Sequence, residues 1–423
     1  MVCSFVTLLA VANCGPQGSG DDDPASSSSG GVAAAPVTKH DINQVLSTGQ
    51  SLSVGIDGGD AISTSQPYSN LMFKSGVIAG GAPPRELVPL VEGKATNPAH
   101  PNTETMSSGL ANLVAKMAAD RGERHDVLMS VHGVSHYVYA KLKKGTPPYQ
   151  SGLAQAKAGH DAALAMGKDH VVRAVTVVHG ESDDHDHNPD YQADIRHWQA
   201  DYEADIRAVT GQSEPIPLLH SQLSSFVKTN LTSRIPIAQL AEHVESGGKT
   251  VLVGPKYQLS YAVDGVHLTN DGYRRMGEEY AKAYRKIVLE GQRWEPLRPS
   301  AVTRSGNVIT VKFVVPVPPL VLDESAVKNP GAFGFEIAQD GPPAPAIQSV
   351  RVTGPDTVEL TLASEPTGGN RRLRYAYTAS ALGVSAGPVT GPRGNLRDSD
   401  PTQSRTGGNP LWNWCVHFDE ALP

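Results

Sequence analysis

The 423-residue sequence is poor in several features, and each shortage narrows the class of protein. No apolar run approaches the roughly 20 residues that a transmembrane helix needs. Charged residues make up only 19% of the chain and the formal net charge is -7, so it lacks the basic face with which nucleic-acid-binding proteins meet phosphate. We therefore expect no nucleic-acid partner. The length favours two domains with tails.

Cysteine is also scarce, with three in the chain. Two of them lie in an N-terminal segment whose stretch "FVTLLAVANC", Phe5 to Cys14, is an apolar run that ends in small residues and a cysteine. A polar Gly/Ser/Asp tract follows it. This arrangement resembles a bacterial lipoprotein signal with Cys14 as the lipidated residue. Export would remove Cys3 and leave Cys415 alone, so we expect no intramolecular disulfide.

Two features depart from a lipoprotein signal: Asn13 directly precedes the cysteine, and no Lys or Arg precedes the apolar run. A plainly secreted protein and a tail without function stay as alternatives. We expect an exported bacterial protein, either secreted or held at the outer membrane or cell surface by a possible membrane tether through lipidated Cys14. Residues 1–14 are then the signal segment and 15–38 a disordered linker.

From about residue 40 to residue 290, short apolar runs alternate with longer amphipathic segments. Five runs read as strands: "INQVLSTGQS", "DVLMSVHG", "VVRAVTVVHG", "IPLLHSQ" and "TVLVGP". Helical spacing begins near Gly109, Tyr191 and Ile237, and again after Thr269, which suits an N-cap. Strands rich in Val, Ile and Leu between helices indicate a parallel sheet covered on both faces. We predict a three-layer α/β/α, flavodoxin-like domain over residues 39–292.

Residues 298–423 have a different pattern. The runs "NVITVKFVV", "SVRVTGPDTVELTL" and "LRYAYTA" alternate apolar and polar residues, which predicts an all-β sandwich domain. Within it, "GVSAG" (Gly383 to Gly387) matches the Gly-x-Ser-x-Gly pattern of a nucleophile elbow. That elbow needs a following helix, and Pro388 with "VTGPRG" rules one out, so we assign no catalysis to it.

Polar residues follow each of the five predicted α/β strands. They are Ser51, His132, His179, His220 and the loop that contains Asp264. The carboxyl ends of parallel strands meet at one edge of the sheet, where such folds place their working groups. A serine hydroxyl needs a histidine base, and that histidine needs an orienting acid. Asp264 and His267 supply both from one loop, so Ser51, Asp264 and His267 form a candidate triad, against the alternative of unrelated polar loops.

Four short motifs extend this interpretation. They are Gly49-Gln50-Ser51, Gly109 in "SSGLANLVAKM", His179-Gly180-Glu181-Ser182, and Asp264-x-x-His267-Leu268. Together, over about residues 40 to 290, they resemble the SGNH (GDSL-like) hydrolase superfamily, in its branch of sialate O-acetylesterases and acetylxylan esterases. The resemblance implies a serine esterase that removes O-acetyl groups from an acetylated oligo- or polysaccharide, without a metal or organic cofactor.

The resemblance also assigns roles around the triad. It implies an oxyanion hole built from the backbone N–H groups of Ser51 and Gly109 and from the side chain of His179, where the branch has glutamine. A histidine that is satisfied elsewhere, with another group as the donor, is the alternative at that position. We place Gln50, His132, Glu181 and Asp183 on the substrate side, with Asp183 also orienting the loop under His179 and His136 as a further residue that can line the cleft.

Other functions fit the same sequence. A lipase, thioesterase or polyester hydrolase would use the same fold, but the chain contains nothing that resembles a long apolar lid. A non-catalytic carbohydrate-binding protein is the other alternative, and the histidine at residue 179 is the best argument for it. His185 and His187 stand among acids in "ESDDHDHN", yet their spacing does not specify a zinc site, so we expect no metal there.

Overall fold

A computed structural model describes residues 38–93 and 103–423, so the predicted signal segment and Cys14 lie outside the described residues. The central sheet contains the five predicted strands and two more. Its strands are β1 (Ile42–Gly49), β2 (Leu71–Phe73), β3 (Leu87–Pro89), β4 (Val127–Val131), β5 (His170–Val178), β6 (Leu218–His220) and β7 (Thr250–Leu252). None of the described helices is both long and apolar enough to cross a membrane.

The five predicted strands are mutually parallel and lie in the order β4-β1-β5-β6-β7. This confirms the predicted parallel sheet with its doubly wound order. The sequence pattern missed β2 and β3, which extend the sheet beyond β4, with β3 antiparallel at the edge. Each of these two strands has three residues, as β6 and β7 do, but neither is fully buried, and β3 ends in Pro89, which argues against a strand.

Helices cover both faces of this sheet. They are α1 (Ser107–Ala119), α2 (Pro147–Ala165), α3 (Glu181–His185), α4 (Tyr191–Thr210), α5 (Ile235–Glu245) and α6 (Asn270–Tyr284). Val45 packs in a core cluster with residues of α1 and α6, whereas the next residue, Leu46, packs in another with residues of α2 and α4. Because neighbouring strand residues point to opposite faces, the two clusters are the two faces of the sheet.

Local signals explain where the helices begin. The Thr269 hydroxyl accepts a hydrogen bond from the Gly272 N–H at 3.1 Å, which confirms Thr269 as the N-cap of α6. At α1, the Thr105 hydroxyl accepts from the Ser107 N–H and the Glu92 carboxylate accepts from the Ser108 N–H. The sequence pattern missed α2, because its buried face is built mostly from Gly and Ala and carries little hydrophobic contrast.

The C-terminal part is all-β, as predicted. One antiparallel sheet has the order β12-β13-β9-β8, a second has the order β11-β14-β16, and β10 pairs with β15. The strands are β8 (Arg298–Ser305), β9 (Val308–Val314), β10 (Val321–Leu322), β11 (Phe335–Asp340), β12 (Ile347–Gly354), β13 (Thr357–Leu362), β14 (Gly369–Tyr375), β15 (Leu396–Arg397) and β16 (Phe418–Ala421). Alternating buried residues of β9 and β13 face the core between the sheets.

The same core continues into the α/β part. Leu240, Leu252 and Tyr257 belong to the hydrophobic cluster that includes Phe313 and Phe418. The buried Tyr257 hydroxyl donates to the Cys415 carbonyl at 2.6 Å, and Cys415 itself is a buried free thiol. Because these contacts are apolar and desolvated, the C-terminal β part and the α/β part stabilise one another.

We expect Tyr257→Phe to lower the free energy of unfolding by about 1–2 kcal/mol, because the buried Cys415 carbonyl loses its hydroxyl partner. Urea unfolding followed by tryptophan fluorescence measures this, and the transition should stay single because the core is shared. Tyr377→Phe is the control, since its half-buried hydroxyl makes no hydrogen bond with the described residues. Two separate transitions, or equal effects of both variants, would contradict the expectation.

Candidate active site

Ser51 lies where β1 ends. The ladder between β1 and β5 pairs Gly49 with Val178 and continues one residue further, where the Gln50 N–H donates to the Val178 carbonyl at 3.1 Å. The chain then enters a short 3₁₀ helix, Ser51–Ser53. Ser51 is its first residue, and N–H groups in the first turn of a helix have no partner within the helix. The fold thus fixes both the position of Ser51 and the exposure of its backbone donor.

Asp264 and His267 are joined as the sequence predicts. Asp264 Oδ1 accepts from the N–H groups of Val266 and His267, each at 3.1 Å, and Oδ2 lies 2.6 Å from Nδ1 of His267. A carboxylate only accepts, so Nδ1 carries the proton and Nε2 has the free lone pair. Nε2 is buried and has no hydrogen-bond partner among the described residues. His267 is therefore oriented as a base.

Ser51 and His267 line one open cleft of about 450 Å³. Its other walls come from the turn after β4, the turn after β5 and the loop after β6. The lining residues are Gln50, Ser51, His136, Val138, Lys141, Glu181, Ser182, His185, Asp186, Ser225, Phe226, Lys228, Thr229, Val266 and His267. The carboxyl ends of the strands therefore meet at one cleft, as the topology requires, and His136 lies at it.

A second carboxylate lies near the histidine. Asp57 Oδ2 is 3.7 Å from His267 Nδ1, and the ligand-type atoms of Asp57, Asp264 and His267 lie within 4.8 Å of one another. Three such groups at this spacing could hold a cation. However, Nδ1 donates its proton to Asp264, and a protonated nitrogen has no lone pair for a metal. The arrangement favours an oriented imidazole flanked by two acids.

The hydrogen bonds also set the ionisation of Asp264. Burial favours the neutral acid, but the hydrogen bonds from the His267 ring and from the backbone outweigh it and lower the pKa of Asp264 to about 2. Asp264 is therefore ionised at neutral pH, and it stabilises the positive charge that would form on His267.

Gln50 and Glu181 both reach the cleft. Gln50 Oε1 accepts from the N–H groups of Gly180 and Ser182, at 3.4 and 3.0 Å, which ties the turn after β5 to the turn of Ser51. Glu181 Oε1 accepts from the Ser225 hydroxyl at 2.7 Å and lies 3.5 Å from the Lys256 ammonium. Burial raises the pKa of Glu181, but the charge of Lys256 and the hydrogen bond from Ser225, with smaller contributions, together outweigh it and hold the pKa below its usual value.

The structure corrects the expectation for His179. Its side chain is fully buried, with Nδ1 2.8 Å from the Tyr191 hydroxyl and Nε2 2.9 Å from the Tyr137 carbonyl. A carbonyl can only accept, so Nε2 carries the proton and Nδ1 accepts from Tyr191. Neither nitrogen can offer a hydrogen to the cleft. The alternative stated above, a histidine satisfied elsewhere, is the arrangement observed.

Burial keeps His132 and Asp183 out of the cleft, but Asp183 does orient the loop under His179 as expected, with Oδ2 3.4 Å from His179 Nε2. His132 Nε2 makes a 2.7 Å hydrogen bond with the Tyr202 hydroxyl and does not reach the cleft. Desolvation lowers the pKa of His132 to about 3. Asp183 is buried, and it anchors the loop by accepting from the Tyr139 N–H and from Asn188. Gly109 packs against α6, where an added Cβ would lie 2.1 Å from the Arg274 carbonyl oxygen. The oxyanion role of the Gly109 backbone N–H stays a prediction. None of these three residues lines the cleft. Of the four proposed substrate-side residues, Gln50 and Glu181 do.

The C-terminal part contacts the loop of the candidate base. The Ala386 N–H donates to the Gly265 carbonyl at 2.9 Å, between Asp264 and His267. Gly387 packs on the Tyr261 ring, and Tyr261 pairs with Leu268 next to His267. These contacts come from the "GVSAG" segment, to which the sequence pattern assigned no catalytic role. Sequence reasoning also missed Lys256 and Ser225, because no local pattern indicates that they meet Glu181.

Comparison with known proteins agrees with this geometry. The family model described as carbohydrate esterase, sialic acid-specific acetylesterase, matches residues 93–286. The resemblance to the SGNH hydrolases is confirmed. The chain is a carboxylic ester hydrolase. The matched segment contains Asp264 and His267 and begins after Ser51. No curated protein sequence matches the chain significantly.

One solved structure shows the same fold at low identity, and two others are more distant. A carbohydrate acetylesterase from Xanthomonas citri has a TM-score of 0.53 at 16% identity, covering 89% of this chain and 80% of that one. A protein from Arabidopsis thaliana gives 0.41 at 13% identity, over 58% of this chain and 99% of that one. The protein NanS gives 0.41 at 13% identity, over 60% and 100%. The similarity to the Xanthomonas citri structure extends beyond the α/β part.

Asp264→Asn tests the pH dependence that follows from its ionisation. The pKa of about 2 lies below the value of about 3.9 for an unfolded aspartate. The wild type therefore has this stabilisation above about pH 4 and loses it as the pH falls towards 2. We expect the difference in unfolding free energy between wild type and variant to shrink over that range. Urea unfolding at several pH values measures it, and a constant difference would refute the assignment.

Gly387→Ala tests the support given by the C-terminal segment. An added Cβ would lie 2.8 Å from the Tyr261 ring, so we expect the loop of His267 to shift and kcat for p-nitrophenyl acetate to fall about tenfold or more. Gly383→Ala is the matched control, because its φ is also positive but the space around it is open. Equal kcat values for the two variants would mean that only backbone strain matters.

Proposed function

We propose that the protein removes O-acetyl groups from a carbohydrate by a serine mechanism in which Ser51 is the nucleophile, His267 the base and Asp264 the orienting acid. The orientation of His267 carries this proposal: its proton is held on Nδ1 by Asp264, its Nε2 has no partner among the described residues, and His267 lines the same cleft as Ser51. A serine is activated in this way when a nearby imidazole can take its proton.

The chemistry then follows the two-step course of acyl transfer. Ser51 Oγ forms a bond to the ester carbonyl carbon while its proton passes to Nε2 of His267. The tetrahedral intermediate collapses as His267 returns that proton to the leaving sugar oxygen, which leaves an acetyl-serine. Water, deprotonated by the same imidazole, releases acetate and restores Ser51. Asp264 stays ionised and stabilises the imidazolium in both steps.

The cleft supports a small acyl group on a polar alcohol. Most of the residues that line it are polar, including Lys141 and Lys228, and Phe226, Val138 and Val266 are the apolar ones, although carbon atoms make up more of the lining surface than polar atoms do. A long acyl chain needs more contiguous apolar surface than this. The family match points to carbohydrate esters as well. These observations favour acetylated sugars over lipid or polyester substrates.

We also infer export, either as a lipoprotein through Cys14 or as a secreted form. The support is the apolar segment that ends at Cys14 and the polar tract after it, which lie outside the described residues. A polymeric substrate outside the cell would suit both routes.

Ser51→Ala decides between catalysis and mere carbohydrate binding. We expect a loss of kcat/KM of about 10⁴-fold or more on p-nitrophenyl acetate and acetylated xylan, with folding retained. The chain-length series from acetate to dodecanoate should show preference for acetate.

Ser53→Ala is the matched control, because its buried hydroxyl donates to the Gln50 carbonyl and does not line the cleft. Undiminished hydrolysis by Ser51→Ala would refute the mechanism. A preference for dodecanoate would move the substrate to lipids.

A further inference from the structure

The environment of His179 leaves the expected oxyanion hole without its side-chain donor. Its Nε2 hydrogen points to the Tyr137 carbonyl and its Nδ1 accepts from Tyr191. The ring is stacked on Tyr191 at an angle of 11° and meets Trp198 edge-on, so it is packed as well as hydrogen-bonded. Another donor must therefore face the developing oxyanion if the site works as proposed above.

Gln50 has the required group. Its carboxamide orientation is fixed, because two backbone N–H groups, those of Gly180 and Ser182, point at one terminal atom, and only the oxygen can accept them. The Nε2 group is therefore directed away from the N–H groups of Gly180 and Ser182. It makes no hydrogen bond with the described residues, although Gln50 is only 3% exposed. This nitrogen is not one of the described side-chain atoms that are withdrawn from solvent without a partner, so it stays available to donate to a ligand in the cleft that Gln50 lines.

The position of this amide suits a hydrogen bond to the developing oxyanion. Gln50 directly precedes Ser51, and both residues line the cleft together with His267. The Ser51 N–H at the start of the 3₁₀ helix has no partner within the helix. The backbone donor of the nucleophile and the carboxamide of the residue before it therefore lie at the same end of β1.

We propose that Nε2 of Gln50 is the side-chain donor of the oxyanion hole, in the role that residue 179 has in the resembled branch. This rests on the proposed function. When Ser51 Oγ bonds the carbonyl carbon, the π pair moves onto the carbonyl oxygen, which then accepts from Gln50 Nε2 and from the Ser51 N–H. On collapse, the pair re-forms the carbonyl and the alkoxide leaves with the proton from His267. Gln50 is a catalytic residue that also holds the turn after β5.

Gln50→Glu separates the two tasks of this side chain. The variant keeps the size and the oxygen that accepts from Gly180 and Ser182, but it replaces the donor by a second oxygen. We expect kcat on p-nitrophenyl acetate to fall about 10²–10³-fold with KM within a few-fold, at unchanged melting temperature. Profiles from about pH 5 to 9 are needed, because a new charge could also shift the titration of His267. The proposal requires a lower plateau, not only a displaced profile.

Methylboronic acid supplies a readout that a purely structural role would not move. Its adduct with Ser51 is tetrahedral and anionic, so its affinity should fall in parallel with kcat/KM in Gln50→Glu. His179→Phe is the comparison variant, since it keeps a ring against Tyr191 and Trp198 and removes both nitrogens. We expect it to lose stability but to keep kcat and boronate affinity within about tenfold in the folded fraction.

The outcomes are distinguishable. If the wild type is active, Ser51→Ala is inactive and Gln50→Glu keeps kcat within about fivefold, the inference is wrong and the proposed function stands. If His179→Phe rather than Gln50→Glu loses boronate affinity, residue 179 is the donor. If the wild type hydrolyses no ester, the proposed function fails and the inference fails with it.

Discussion

The hydrogen-bond ladder between β1 and β5 is the constraint on which the cleft depends. It continues past both strands, where the Gln50 N–H meets the Val178 carbonyl. This bond brings the turn of Ser51 against the turn of residues 179–182. The Gln50 side chain then joins the same two turns a second time. Neither turn can move alone without breaking buried hydrogen bonds, so Ser51 is held by rigid elements rather than by a loose loop.

A buried ion pair lies beside this junction. Glu181 and Lys256 are both withdrawn from water, and Lys256 Nζ also donates to the Gln222 carbonyl at 3.1 Å. Desolvation of two charges offsets much of their attraction, so such a pair is a weak source of stability. Lys256 and Ser225 together orient the Glu181 carboxylate at the cleft wall. Removal of Lys256 alone would leave a buried carboxylate uncompensated, which would destabilise the fold and disturb the cleft wall.

The sequence alone predicts the features that depend on residues close together in the chain. Five strands could be recognised from continuous Val, Ile and Leu, and the Asp264–His267 pair from one loop before a capped helix. By contrast, α2 was missed because small residues form its buried face, and β2 and β3 because these short strands at the end of the sheet are only partly buried. The fate of His179 depends on Tyr137, Tyr191 and Trp198, which come from other turns and helices. A motif comparison aligns residue 179 but does not reveal what surrounds it.

The hydrogen bond from Ala386 to Gly265 has a consequence for synthesis of the protein. Ser51, Asp264 and His267 are all translated well before the segment that supports the loop of Asp264 and His267. The last strand, β16, which closes the shared core, is made later still. Domains usually fold in order as they emerge from the ribosome. Here the first part leaves the ribosome with an apolar face still uncovered. The loop of Asp264 and His267 gains this support only after the Ala386 segment has been made, and a form truncated before β16 would expose that face to chaperones and proteases instead.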